Sequence, residues 1–274
     1  MNFHSDKWIQ EQVYRHYQEA LKLYPKERIV GVFLQGSQNY GLDYEGSDID
    51  TKCILLPTWE DIVLNKKPVS TTHILDNEEH LDFKDIRLMF NCFRKQNVNF
   101  LEILFTKYYV LNPFYLNYWL LLQKRNEQIA HYNPVAAVRT MAGMTKEKYY
   151  ALEHPYPSKI DIIEKYGYDP KQLHHMARMV EYIERYISGE LYQNCLQSNQ
   201  STFLSNLKQY PIPLTSAREY AKYLLEKADN LYKDFTATHK DETNPLVDEF
   251  LNMILSNILE DYLRNEWKER RLYL

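Results

Sequence analysis

Apolar residues recur at helical spacing from Trp8 through Val13 and Tyr17 to Leu21, and Pro25 closes the run, which predicts an N-terminal helix. The chain then changes character. Residues 28–34 read Arg-Ile-Val-Gly-Val-Phe-Leu, β-branched and aromatic, and residues 49–56 form a second such run closed by Pro57, so both predict central strands. Residues 69–75 and 80–83 predict two weaker strands, and Asp85 is placed to cap a helix reaching to about Lys95. From Pro113 onward the pattern is helical, with Pro113, Pro134, Pro170 and Pro245 each suited to a first helical turn. Residues 154–157 and 197–213 read as loops. The expectation is an α+β protein: residues 1–110 an α/β domain, residues 111–274 an all-helical one.

Composition narrows the function classes. A chain of 274 residues with 45% hydrophobic content can fill a real core. Its densest apolar run, Tyr118-Trp119-Leu120-Leu121-Leu122, is far shorter than the ~20 residues of a membrane span. The first seven residues lack the apolar stretch of a secretory leader, so the expected location is the cytoplasm, with no membrane partner. Three scattered cysteines (Cys53, Cys92, Cys195) form neither a disulfide framework nor a zinc pattern. With a net charge of −4 the surface is no basic envelope for duplex nucleic acid, so a polyanion must be gripped locally or through metal ions. The 24 tyrosines read first as partly buried packing and only second as stacking surfaces for bases.

Of seven glycines, four (Gly31, Gly36, Gly41, Gly46) fall in one sixteen-residue window, which marks a special loop in a glycine-poor chain. Within it, Gly36-Ser37 at the end of the first strand is followed, ten residues later, by Asp48-Ile49-Asp50 entering the second. Alternate strand residues share a face, so Asp48 and Asp50 are expected to aim both carboxylates at one spot. Such a pair of hard ligands suits Mg²⁺ or Mn²⁺, which take their remaining ligands from water and phosphate oxygens. Gly36 allows close approach of a triphosphate, and main-chain amides with the Ser37 hydroxyl donate to it. Alone, each half is an ordinary turn or solvated edge. Together, on two predicted strands, they read as one site. A third carboxylate completes a two-metal site. Asp82, alternating with Leu81 and Phe83 in its short strand, is preferred to Asp85, whose place suits a helix cap, while Glu78 and Glu79 read as turn residues.

Gly36-Ser37, the ten-residue gap, Asp48-Ile49-Asp50 and the later Asp82 resemble the signature of the DNA polymerase β superfamily of nucleotidyltransferases. The resemblance covers the first 110 residues. It implies a mixed sheet with helices behind it, three acidic metal ligands (Asp48, Asp50, Asp82), and transfer of a nucleotidyl group from a nucleoside triphosphate such as ATP with release of pyrophosphate. Residues 97–105 and 167–178 are similar to two downstream motifs of the predicted nucleotidyltransferases associated with RNA-repair gene clusters in bacteria and phages. Pro170 departs from the second motif, where a threonine or similar residue is expected. That resemblance implies an RNA or other nucleic-acid end as acceptor.

On a helix from Pro170, Lys171, His174, His175 and Arg178 form one stripe, opposite Leu173, Met176, Ala177, Val180 and Ile187. A solvated charged face is the usual meaning of such a stripe. Beside a triphosphate site, Lys171, His175 and Arg178 are instead expected to neutralise phosphate charge, with the helical domain completing the cleft. Glu102 is left outside the site. Two alternatives stay open: a protein nucleotidyltransferase that modifies hydroxyls on another protein, and a regulator that binds nucleotide without turnover.

Overall fold

Ser5, its side-chain oxygen on the amide of Trp8, starts helix α1 (Asp6–Leu23) in the computed structural model, which describes residues 3–271 and side chains through residue 266. Ile9, Val13, Tyr17 and Ala20 recur at helical spacing on α1 and are buried. They pack on a sheet of β1 (Ile29–Gln35), β2 (Asp50–Leu55), β3 (Ser70–Ile74), β4 (His80–Asp85) and β5 (Tyr109–Leu111), in the order β3-β4-β2-β1-β5. The β2–β4 pair is parallel and the other three are antiparallel, so the sheet is mixed. Val32, Leu34, Cys53, Leu55, Leu81 and Phe83 supply the sheet side of this core. Strand alternation sends Phe33, Asp50, Lys52 and Asp82 to the opposite face. There Phe33 meets Trp119 of α3, ring centroids 4.1 Å apart; in the labels used here α2 is Ile86–Arg94 and α3 is Leu116–Lys124.

The α+β class and the four expected strands are present, and Asp85 caps α2 by accepting from the Arg87 amide at 2.9 Å. β5 is an addition. Three residues carry no period of their own, and this strand exists by pairing with Gly31–Phe33 of β1. A side chain at Gly31 would put its Cβ 2.9 Å from both Leu111 and the Phe33 ring, so any other residue there would have to displace those side chains.

By packing, the chain divides into two compact units. The first is Met1–Asn39, Asp43–Tyr132 and Thr243–Leu274; the second is Tyr40–Leu42 with Asn133–Glu242. In the second unit α4 (Pro134–Ala151), α5 (Pro170–Ile187), α6 (Ser201–Gln209) and α7 (Leu214–Thr238) are grouped about α5, which contacts the other three. α6 occupies a stretch expected to be loop: its serines and asparagine are poor helix formers, and it is held through buried Leu204 and Leu207, three residues apart. α8 (Pro245–Arg271) returns to the first unit and packs on α2, where Arg94 Nε donates to Asp248 at 2.6 Å. The expected break at residue 110 therefore falls within β5, and α8 belongs with the sheet. Among the described residues no helix is long and apolar enough to cross a membrane.

Candidate functional site

β2 opens on Asp50. Asp48 is exposed just ahead of the strand, Ile49 is fully buried, and the half-exposed Asp50 carboxylate accepts from the His80 amide at 3.1 Å. Across the ten-residue gap the chain is stitched: Nε2 of buried Gln38 donates to the Asp48 main-chain carbonyl at 2.9 Å, which fixes the residue after Ser37 to the backbone that bears the first carboxylate. Gly36 has φ +96°, a conformation L side chains rarely adopt, and the space where its Cβ would stand is open. Its amide is already taken. The N–H donates at 3.2 Å to Glu102, a buried carboxylate that the sequence reading left outside the site. A phosphate cradle here would thus rest on Ser37, whose hydroxyl reaches Gln38 Oε1 only at the long distance of 3.4 Å.

Asp82 lies in a cross-strand row with Thr72 on β3 and Lys52 on β2. Thr72 Oγ1 donates to it at 2.5 Å and Lys52 Nζ at 3.3 Å. Burial pushes the Asp82 carboxyl up, but Thr72, Lys52 and Gln35 outweigh this and hold it below the usual carboxylate range. Lys52 is itself 3% exposed and sits 4.3 Å over the Phe100 ring, a cation kept on the sheet by a carboxylate and an aromatic face. From the register, the Asp50 and Asp82 Cα atoms are about 8 Å apart on the same face, with Lys52 level with Asp82. The three aspartates do not converge: among the described residues no group of three His, Cys, Asp or Glu side chains is placed to hold a metal ion. Asp48 and Asp50 supply hard oxygen ligands of the right chemistry, and Asp82 lies on their side of the sheet with Lys52 as its cation. Asp85 is on the α1 face, buried and paired with Arg87 at 2.6 Å.

Glu79 lies in the β3–β4 turn as expected, its carbonyl accepting from the Leu75 amide at 2.9 Å, but its side chain does more than a turn residue's. It is buried, its Oε2 accepts from His16 Nε2 at 2.8 Å and from Arg15, and its Oε1 lies 3.4 Å from the Ile49 amide, between the two aspartates. His16, fully buried on α1, places Nδ1 2.8 Å from Thr51 Oγ1, the residue after Asp50. The aspartate segment is therefore bracketed from α1. Burial pushes the Glu79 carboxyl up, yet the bonds from His16, Asn77 and Arg15 bring it to about 2. A histidine inside the apolar stripe Ile9, Val13, Tyr17, Ala20 is the one sequence signal that pointed here.

The expected cationic stripe on α5 is not a solvated face. Lys171 is exposed, but His174 and Arg178 are buried, because α5 is enclosed on nearly all sides by its neighbours. His174 Nδ1 is spent on the Leu204 carbonyl at 2.8 Å, and burial holds its imidazole down at about 4. Burial, with the charges of Arg178 and Lys171 beside it, holds His175 well below the ordinary histidine value. Arg178 stacks on Tyr40, 3.4 Å from the ring centroid.

The chain matches no protein-family profile and no curated protein. It is coarsely similar to the crystal structure of a nucleotidyltransferase-like protein from Exiguobacterium sibiricum 255-15: 11% identity over 82% of this chain and 74% of that one, with a TM-score of 0.32.

Proposed function

We propose that the chain transfers a nucleotidyl group from a nucleoside triphosphate to an acceptor hydroxyl, an RNA end in the first instance, releasing pyrophosphate. The observation that carries this reading is the joined motif: Gly36-Ser37 with an open glycine at positive φ, tied by Gln38 to Asp48 just ahead of β2, with Asp50 two residues on. Asp48 and Asp50 are the residues to hold Mg²⁺ or Mn²⁺, which when bound would screen the triphosphate and the departing pyrophosphate. Ser37 donates to a phosphate oxygen, and Glu102 holds the Gly36 amide so that the loop presents its open side. Asp82 orients the acceptor hydroxyl, whose oxygen bonds to the α-phosphorus as the bond to the bridging oxygen breaks. Its proton leaves to a site carboxylate or to solvent.

Incubation with each labelled triphosphate, Mg²⁺ or Mn²⁺, and either an RNA pool or a protein extract tests the proposal. Pyrophosphate release with label on RNA is the expected result; label on protein would move the acceptor to a polypeptide. The Lys52–Asp82 ion pair favours one rival, a nucleotide-binding regulator, because it commits the third carboxylate to a lysine. Nucleotide binding with no pyrophosphate release under any of these conditions would select that rival.

A further inference from the structure

We infer that the helical unit carries a phosphate-binding site of its own, built on the free Nε/Nη2 edge of Arg178 above Tyr40. Arg178 is 7% exposed, and neither its Nε nor its Nη2 has a hydrogen-bond partner. Two unsatisfied donors on a buried, permanently charged group are costly, and native interiors usually pair them with protein, water or a ligand. These two nitrogens are neighbours on one edge of the guanidinium. Their N–H bonds run parallel, at the spacing of two oxygens of a single phosphate.

The surroundings keep that edge free. Tyr40, itself buried, covers one face of the guanidinium at 3.4 Å and fixes its plane, which leaves the edge for recognition. The acids nearest along α5 are committed elsewhere. Glu181 accepts from Ser198 Oγ at 2.5 Å and the Asn199 amide at 2.7 Å, and Asp169 from the Lys171 amide at 2.9 Å and Gln172 Nε2 at 3.0 Å. Lys148, Lys171 and Arg178 all act on the imidazole of His175, so positive charge accumulates there. A phosphate, with more charge than a carboxylate, answers that excess. Tyr40 is the last residue of a single helical turn, Ser37–Tyr40. The inference stands on the helical unit alone and does not require transfer activity.

The test is titration calorimetry of the full chain with inorganic phosphate and with tripolyphosphate, in EDTA so that no divalent ion contributes. Binding is expected in the parent, weakened at least tenfold in Arg178→Met and in Arg178→Lys, which keeps the charge but not the fork. Without ligand, Arg178→Met should melt at or above the parent temperature, since it removes a buried charge that has no bonded partner. No binding by the parent at 10 mM, roughly the weakest a monovalent site of use would show, or equal binding by both variants, overturns the site. A preference for tripolyphosphate assigns it to the nucleotide. A preference for a 5′-phosphorylated over a 5′-hydroxyl oligoribonucleotide assigns it to the acceptor, and either preference supports a phosphate site. Metal-free phosphate binding by a parent chain that transfers no nucleotide with Mg²⁺ or Mn²⁺ would leave this site standing and remove the proposed function. A parent chain that transfers nucleotide but binds neither phosphate nor tripolyphosphate in EDTA would do the reverse.

Discussion

Asp48 and Asp50 flank a fully buried Ile49, so two negative charges are held close together by packing that does not involve them. Asparagine keeps their shape and removes the charge. Asp48→Asn and Asp50→Asn are therefore expected to leave the melting transition within ~0.5 kcal/mol of the parent. In Asp50→Asn the side-chain amide oxygen can still accept from the main-chain N–H of His80. Transfer should fall by more than about 100-fold in each. Severe destabilisation by either, or full activity in both, would make these carboxylates structural. Gly36 and Ser37 separate in a different way. Ser37→Ala deletes one donor to phosphate, about 1.5–3 kcal/mol of nucleotide affinity for a charge-assisted bond. Gly36→Val forces φ +96° on a β-branched residue and fills the open space beside it, so it should nearly eliminate binding. Calorimetric titration ranks the two, and small equal losses would return the glycine window to an ordinary turn.

At the scale of elements, the strands that build the site were legible because their residues alternate or run continuously apolar, and α2 because Asp85 caps it. What escaped was held by contacts distant in the chain. Glu79 reads as a turn acid until α1 brings His16 and Arg15 onto it, 63 and 64 residues away in sequence. Glu102 reads as an exposed or hydrogen-bonded helix residue, and its partner, the Gly36 amide, is not readable from the sequence. The burial of His174 and Arg178 on α5 was not legible because periodicity reveals which residues share a face and not how many neighbours enclose the helix. The Glu79 bracket has a pH signature. Its folded value is depressed to about 2, so an unfolded chain binds the extra proton in the interval between that and the ordinary glutamate range. Its contribution, ~3 kcal/mol from a shift of that size, is present above the ordinary glutamate range and lost as pH falls through about 2. Denaturation of Glu79→Gln against the parent should show that gap near neutrality, closing progressively below about pH 4.5. A gap independent of pH would mean that shape rather than charge holds the bracket.

For the whole molecule, the decisive feature is that the helical unit is an insertion. The chain leaves the sheet unit at Tyr132 and re-enters at Thr243, and the two ends are joined: the Asn244 amide donates to the Tyr132 carbonyl at 2.8 Å. Beyond that point α8 packs on α2 and completes the sheet unit, with Arg94 bridging to Asp248 at 2.6 Å and to Asn252 at 2.8 Å. A terminus cut and an internal excision should therefore have opposite consequences. Removing residues from Pro245 onward strips α2 of those bonds and of buried Val247, Phe250, Leu251 and Ile254, and burial losses of that kind run to ~1.5–3 kcal/mol per side chain. Such a chain is expected to be insoluble or molten, although all of the motif residues remain. Excising Asn133–Glu242 and closing the gap with a short glycine-serine linker keeps both the sheet core and α8. It should melt cooperatively with the circular dichroism of an α+β protein. Within that excised protein Asp48 and Asp50 keep their bracket from α1, whereas Tyr40–Leu42 loses the helical unit to which it belongs. The shortened protein is therefore expected to fold without transferring nucleotide at a measurable rate. A molten excision variant beside a well-folded terminal truncation would show that α8 and the sheet do not form a cooperative unit.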